Sequence, residues 1–187
     1  MTTPTATDDV IICETYTVNI GTTGTCRSLT INGTANYTAG VATSVGTGGV
    51  IINSGGNITG TAAGVITTTG GLVLNSVLTS TSVSIRTITT PGQTISGTGS
   101  LGRLDVSINT INNGNITVTT ALLSTVASSL TQGVSSSLTY NGNTLAPSLD
   151  ASAAGNTVTY GGAAQTVKTA TYHNLIINGS GIKTLGG

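Results

Sequence analysis

A short apolar–polar–apolar segment that ends in a corner residue recurs along most of the chain. The clearest copy is 28–33, in which Leu29, Thr30 and Ile31 alternate before Asn32 and Gly33. Such alternation is typical of a half-buried β-strand. The last apolar residues of successive copies, 17 to 23 positions apart, are Ile31, Ile52, Leu74, Ile95, Val118, Tyr140, Tyr160 and Ile177. A repeat of about twenty residues is the sequence signature of a solenoid.

This pattern predicts an all-β fold, a right-handed parallel β-helix (β-solenoid) of about eight coils. The chain contains 27 Gly but no Phe or Trp, and only 3% of its residues are aromatic. Narrow coils filled with Val, Ile and Leu suit this composition. A β-sandwich is the alternative, and it is disfavoured because wide sandwich cores draw much of their buried area from aromatic side chains.

The repeat divides the chain into two parts. Residues 1–27 are predicted to be an N-terminal cap, since solenoids need atypical end units, and residues 28–187 to be the solenoid body. The segment 121–137 is the least regular, and we expect an insertion there, either a loop or a short helix over 121–130. Residues 182–187 carry no polar cap, which predicts that this end continues into further repeats or pairs with another copy.

The two cysteines, Cys13 and Cys26, are 13 positions apart. We expect a disulfide that closes the first coil, worth about 3 kcal/mol in the chain-entropy model, and therefore an oxidising compartment. Two free thiols are the alternative.

Charge is unusually scarce. Charged residues make up 5% of the chain and the formal net charge is zero, whereas about 25% is usual for a soluble domain. The chain therefore lacks the basic surface that nucleic acid binding requires, and no apolar run approaches the roughly 20 residues of a membrane span. A neutral, hydroxyl-rich chain is typical of secreted or cell-surface proteins, and weak charge repulsion favours self-association.

The C-terminal segments carry a family resemblance. Residues 156–168 and 172–185, with the opening 8–12, are similar to the repeat units of long repetitive secreted proteins of Bacteroidota. The resemblance implies an extracellular, adhesin-like β-helical scaffold. It implies no active-site residues.

Catalytic candidates are few. His173 is the only histidine, no G-x-S-x-G motif is present, and we predict no catalytic residue, cofactor or metal site. Arg103 and Asp105 should share a strand face, as part of a sugar-binding groove or as a simple surface ion pair. A polysaccharide-active β-helix enzyme would need two carboxylates to meet, and Asp105 and Asp150 lie about two coils apart by the repeat. An enzyme is the least favoured reading.

Two sets of polar residues are candidates for structure or binding. The first is predicted to form a structural Asn ladder at one corner of the coil, where Asn tolerates left-handed backbone: Asn32, Asn53, Asn75, Asn141 and Asn178. The second comprises the Thr-x-Thr pairs that begin at Thr15, Thr67, Thr87, Thr117 and Thr157. Ice binding would need one such pair per coil in register, and intervals of 20 to 52 residues do not follow the period.

The sequence therefore predicts a non-catalytic extracellular structural protein: a stalk, an adhesin-like segment or a self-assembling filament unit. Its expected partners are further copies or adjoining repeats of the same chain, with surface glycans as a second class. The alternative is a glycan- or ice-binding module on a flat β face.

Overall fold

The computed structural model describes residues 3–186, and every regular element in this range is a β-strand. Met1, Thr2 and Gly187, at the limits of the two predicted parts, lie outside the described residues. The strands are β1 (Asp9–Ile12), β2 (Thr17–Ile20), β3 (Gly24–Ile31), β4 (Thr34–Tyr37), β5 (Ala42–Ile52), β6 (Asn57–Thr59), β7 (Val65–Thr68), β8 (Leu72–Leu74), β9 (Ser84–Thr87), β10 (Gln93–Ser96), β11 (Thr98–Val106), β12 (Thr110–Asn112), β13 (Asn115–Leu123), β14 (Ser129–Gln132), β15 (Ser137–Tyr140), β16 (Thr144–Leu145), β17 (Ser148–Asp150), β18 (Thr157–Tyr160), β19 (Gln165–Val167), β20 (Asn174–Ile177) and β21 (Lys183–Leu185).

The strands wind into a parallel β-solenoid of about nine turns, as the repeat predicted. The strand pairs of the described residues are parallel, and each joins strands of adjacent turns. The turns, numbered in chain order, cover residues 9–26, 28–45, 50–68, 72–87, 93–106, 110–123, 129–145, 148–167 and 172–185.

Each turn has three faces. Face 1 is the stack β1–β3–β5–β8–β10–β12–β14–β17, in which β3 and β5 contribute their later residues. Face 2 contains the sheet β2–β4–β6 and, after an irregular fourth turn, the stack β11–β13–β15–β18–β20. Face 3 closes the turn with parts of β3 and β5, then β7, β9 and the later residues of β11 and β13, and finally β16, β19 and β21.

Alternation along each strand separates the core from the surface. In β15, Leu138 and Tyr140 are buried while Ser137 and Thr139 are partly exposed, because successive side chains point to opposite faces of a strand. Parallel pairing in register then stacks like positions along the axis. Thr139, for example, lies between Thr117 and Thr159.

The recurring segment does not stay on one face. The copies that end at Ile31, Ile52, Leu74 and Ile95 lie on face 1, whereas those that end at Val118, Tyr140, Tyr160 and Ile177 lie on face 2. The two sets look alike in sequence because each turn carries one strongly apolar strand, and that strand changes face after turn 5.

The structure has about nine turns where eight were predicted. Residues 9–26 form a regular turn whose strands β1 and β2 pair with β3 and β4. A distinct N-terminal cap over 1–27 is therefore not confirmed. In 121–137, no helix forms: β13 extends to Leu123 and β14 begins at Ser129, so the irregular part is only a short connection.

The core is mostly aliphatic, with three fully buried tyrosines, Tyr37, Tyr140 and Tyr160. The rings of Tyr140 and Tyr160 meet edge to face with centroids 6.2 Å apart. Polar side chains also enter the interior. Asn112 Nδ2 donates to Gln132 Oε1 at 2.8 Å, and the Thr87 and Thr110 hydroxyls are 2.8 Å apart.

Candidate functional site

The last turn leaves its inward-facing side chains uncovered. Leu175 continues the buried column of Leu138 and Val158, and Ile177 continues that of Tyr140 and Tyr160. Yet Leu175 is 37% exposed and Ile177 46% exposed, because nothing in the described residues stacks on β20. Ile182 and Leu185 on the same turn are also exposed. This end therefore presents an apolar strand with an unpaired backbone edge.

The first turn presents a matching surface at the opposite end of the rod. Val18 in β2 is 43% exposed, although it occupies the column of the buried Ala35 and Ile58. Next to it, an apolar cavity of about 270 Å³ opens between the strands of turn 1. Its lining includes Val10, Ile12, Ile20 and Leu29.

The two ends carry charges of opposite sign. Asp8, Asp9 and Glu14 lie in or just before turn 1. Arg27 Nε donates to Asp9 Oδ1 at 2.9 Å, and this contact holds the pKa of Asp9 below its usual value. Lys183 lies in turn 9 and Lys168 just after turn 8, which also contains Asp150. Lys183 Nζ donates to the carbonyl oxygens of Gly162 and Ala163 at 2.8 and 2.6 Å.

Face 2 carries a two-column array of small uncharged polar side chains, which we call the hydroxyl face. The first column is Thr98, Asn115, Ser137, Thr157 and Asn174, and the second is Ser100, Thr117, Thr139 and Thr159. All nine side chains point outward and are partly or fully exposed. The second column is bounded by Val77 at one end and Ile176 at the other.

The spacing of the hydroxyl face is fixed by the backbone. Neighbouring strands are about 4.8 Å apart, and residues two apart on one strand are separated by about 6.6 Å. Within the described residues, the hydroxyls of Thr117, Thr139 and Thr159 have no side-chain hydrogen bond, and those positions face solvent. An open trough of about 520 Å³ runs over this face between Val77 and Thr119.

The first three turns carry a similar array on face 2, but its groups bind one another. Asn36 Nδ2 donates to Asn19 Oδ1 at 2.9 Å, and Thr59 Oγ1 donates to Asn36 Oδ1 at 3.0 Å. These residues form a ladder that sequence analysis did not predict. In the later turns Ser137 Oγ also donates to Asn115 Oδ1, at 3.1 Å, so the second column holds the row of free threonine hydroxyls.

The predicted Thr pairs are only partly in this array. Thr157 and Thr159 form one of its rows, and Thr117 belongs to it, while Thr119 lies beyond the strand's buried Val118. Thr87 is buried and Thr67 lies on face 3. The array was missed because Ser and Asn replace Thr in several rows, so a search for Thr alone did not find the period.

The acidic candidates do not meet. Asp105 lies on face 3 of turn 5 and Asp150 on face 1 of turn 8. Asp105 is only 1% exposed, and its ion-pair partner is Arg86, at 2.7 Å between Nε and Oδ2, rather than the predicted Arg103. Ser107 Oγ also donates to Asp105, at 2.7 Å. The ion pair between Arg86 and Asp105 joins turns 4 and 5. Together the two contacts leave Asp105 little access to a ligand.

The predicted disulfide is wrong, since Cys13 and Cys26 are both free. Asp9 pairs with Ser28 and Ile12 with Ile31, so the two cysteines lie at opposite ends of this ladder. Cys26 lies on face 3 and Cys13 follows the last residue of face 1, so the width of face 1 separates them, whereas a disulfide requires Cα atoms within about 7 Å. Cys13 is exposed, and burial raises the pKa of the Cys26 thiol.

The Asn ladder forms in part. Asn53 Nδ2 donates to Asn32 Oδ1 at 2.8 Å, and Asn75 Oδ1 accepts from the backbone N–H of Thr98 at 3.3 Å. Asn141 and Asn178 lie at a different corner, after face 2, and Gly161 lies between them. None of the five has the predicted left-handed backbone; among the described non-glycine residues, Thr15, Thr89 and Ser135 have it.

The remaining features identify no chemistry. His173 is exposed, beside β20. Within residues 3–186, no group of three or more His, Cys, Asp and Glu side chains is placed to hold a metal ion. That range also contains no helix long and apolar enough to cross a membrane. Comparison of the chain with protein-family models, curated proteins and solved structures finds no match.

Proposed function

We propose that this chain is a structural solenoid that lengthens by stacking end on end, as a filament unit or as a segment of a stalk. The observation that carries the proposal is the pair of uncovered end turns. Each end turn exposes apolar side chains. In turns that have a neighbour on both sides, the side chains at the same positions are buried.

The two ends fit one another in register. If turn 9 of one copy stacks on turn 1 of the next, Asn174 aligns with Thr17, Leu175 with Val18 and Ile177 with Ile20. Aliphatic residues then meet aliphatic residues inside, whereas outside Asn174 meets Thr17 and Ile176 meets Asn19. The contact repeats the parallel pairing that already joins β18 to β20.

Such a contact uses two different surfaces of the same molecule. A head-to-tail contact of this kind does not close on itself unless its rotation forms a ring, and it otherwise produces an open filament. The unpaired strand edges supply a hydrogen-bonding template. The acidic first turn and the basic last turns favour this orientation over head-to-head pairing.

Substitutions at either end test the proposal. Val18→Lys and Ile177→Lys each place a charge in the proposed contact, and each should prevent filaments. Val134→Lys is the matched control, because Val134 is an exposed aliphatic residue on a connection in turn 7, away from both ends. Electron microscopy and sedimentation across a concentration series measure the outcome.

A mixture of the two end variants sharpens the test. Val18→Lys retains a normal last turn and Ile177→Lys a normal first turn, so a one-to-one mixture should form dimers and nothing longer. Wild-type protein that stays monomeric at all concentrations would refute end stacking. Equal loss of filaments in Val134→Lys would show that the chosen positions are not specific.

The scarcity of charge and the resemblance to secreted repeat proteins support a location outside the cell or on its surface. A non-catalytic scaffold or adhesin-like role, right-handed winding and a capping function for the first turn belong to the same proposal. Surface labelling of intact cells of the native host, with an antibody to the purified chain, tests the location.

A further inference from the structure

We propose that the hydroxyl face binds ice. This surface lies on the side of the rod, so the inference is independent of end stacking. It rests on the register of the two columns, on their lack of charge and on the hydroxyls of Thr117, Thr139 and Thr159, which have no hydrogen-bond partner among the described residues.

The array is periodic in two directions. Rows repeat about every 4.8 Å along the axis, and the two columns are about 6.6 Å apart. Four consecutive turns, 5 to 8, carry both columns, and Asn174 extends the first column into turn 9. A ligand that uses the whole surface must itself be periodic. Hexagonal ice has a repeat close to the strand spacing along its a axis.

The hydroxyls are held in position before any ligand arrives. Threonine is β-branched and therefore restricted at χ1, and the backbone beneath it is tied to strands on both sides. The hydroxyls of Thr117, Thr139 and Thr159 form no side-chain hydrogen bond within the described residues. Water ordered along such a row loses little further freedom when it joins a crystal.

The other faces do not offer such an array. In turns 5 to 8, the outward positions of face 1 include Ile111, Thr131 and Asp150. On face 3 the neighbouring outward positions are Arg86, Asp105 and Leu123. Charged and large aliphatic groups interrupt both. Over turns 5 to 8, the outward positions of face 2 stay uncharged and small.

Ice is favoured over a crystalline polysaccharide by the side chains that the face lacks. Sugar rings present apolar C–H surfaces that pack well on aromatic side chains, and none of the nine residues in the two columns is aromatic. The exposed Tyr16 lies in the first turn, far along the rod.

A pair of variants in the same turn provides the test. Thr139→Lys places a long charged side chain in the middle of the array. Thr131→Lys makes the same change at an outward, partly exposed position on face 1 of turn 7. Inhibition of ice recrystallisation, ice-crystal shaping and incorporation into a growing ice hemisphere are measured for both variants and for wild type.

Wild type should inhibit recrystallisation and enter ice. Thr139→Lys should lower its potency by about tenfold or more, since a clash at the centre of an interface has the largest effect, and Thr131→Lys should match wild type. Thr159→Lys, in the same column, serves if Thr139→Lys fails to fold, as judged by circular dichroism.

Three results would overturn the inference. Wild-type protein could leave ice growth unchanged at all concentrations, Thr131→Lys could be as weak as Thr139→Lys, or the protein could bind powdered cellulose or chitin without affecting ice. None of these would bear on filament formation, because the monomeric Ile177→Lys variant retains the central rows of the array.

Discussion

The early and late turns of the rod keep their strongest apolar strands on different faces. In turns 2 to 4, the inward positions of face 1 are aliphatic and buried: Leu29, Ile31, Val50, Ile52, Leu72 and Leu74. In turns 5 to 7, face 1 also buries polar residues, Gln93, Thr110, Asn112 and Gln132, beside the aliphatic Ile95 and Leu130. From turn 6 onward, the strongly apolar strand of each turn is the one on face 2, with aliphatic and aromatic residues. Each of these turns thus has one strand whose inward side chains are strongly apolar. That strand can lie on a different face in the next turn, provided that the strands of the two turns still pair in register.

The polar interior of the later turns is held by bonds along the stack. Asn112 donates to Gln132 Oε1 and to the Ser137 carbonyl oxygen at 3.0 Å, and its Oδ1 accepts from Gly114 N–H at 3.0 Å. Gln132 Nε2, however, has no hydrogen-bond partner among the described residues. The aliphatic inward positions of face 1 in turns 2 to 4 should therefore not tolerate a polar group, whereas the polar inward positions of the later turns should tolerate an apolar one.

The largest effect is expected in the early turns. Ile52 is fully buried between turns 2 and 4, so Ile52→Asp should prevent folding by burying an unpaired carboxylate. Its neighbour Ile51 points outward and is partly exposed, and Ile51→Asp should fold. Circular dichroism and limited proteolysis distinguish them. A folded Ile52→Asp protein would contradict the assigned inward column.

A reciprocal exchange compares the two interiors directly. Leu74→Gln buries an amide among aliphatic side chains and should lower the free energy of unfolding by about 3 kcal/mol. Gln132→Leu removes a buried amide nitrogen that has no partner, together with the Oε1 acceptor of Asn112, whose Nδ2 keeps its bond to the Ser137 carbonyl oxygen. It should therefore change this free energy by only about 1 kcal/mol.

Urea unfolding of both variants measures this contrast. Equal destabilisation by the two substitutions would mean that the polar and apolar interiors are equally selective.

The smallest effect concerns a single buried phenol and appears at high pH. Burial raises the pKa of Tyr37 to about 12, although its hydrogen bond to Thr43, 2.7 Å long, acts in the opposite direction. The fold favours the neutral phenol, so this contribution is complete below pH 10 and is lost as the pH rises from 10 towards 12. Its full size is about 3 kcal/mol.

Comparison with Tyr37→Phe isolates this contribution, because the phenylalanine variant cannot ionise at that site. Wild type should lose stability more steeply than the variant between pH 10 and 12 in urea unfolding. Parallel curves would show that Tyr37 does not titrate with unfolding.

The sequence predicted the parallel solenoid because strand alternation and a period near twenty survive in most turns. It did not predict the change of face, since Ile116, Thr117 and Val118 on face 2 read like Leu29, Thr30 and Ile31 on face 1. Buried Gln93 and Gln132 resemble corner residues in sequence. The hydroxyl face was missed because Ser100, Asn115 and Ser137 replace threonine there.

The disulfide could not be judged from spacing alone. Thirteen residues suffice to bring Cys13 and Cys26 into adjacent turns, but pairing of Asp9 with Ser28 sets them at opposite ends of the ladder. Likewise, the partner of Asp105 is Arg86 in the preceding turn, and a sequence distance of 19 residues carries no information on which strands adjoin.

The parallel ladders have a mechanical consequence. Their hydrogen bonds lie along the rod axis. When the two ends are pulled apart, the ladders therefore break one turn at a time rather than all together. A released turn of about twenty residues extends from about 4.8 Å to as much as about 70 Å. Under tension the chain should therefore lengthen in steps, with one turn unfolding at each step.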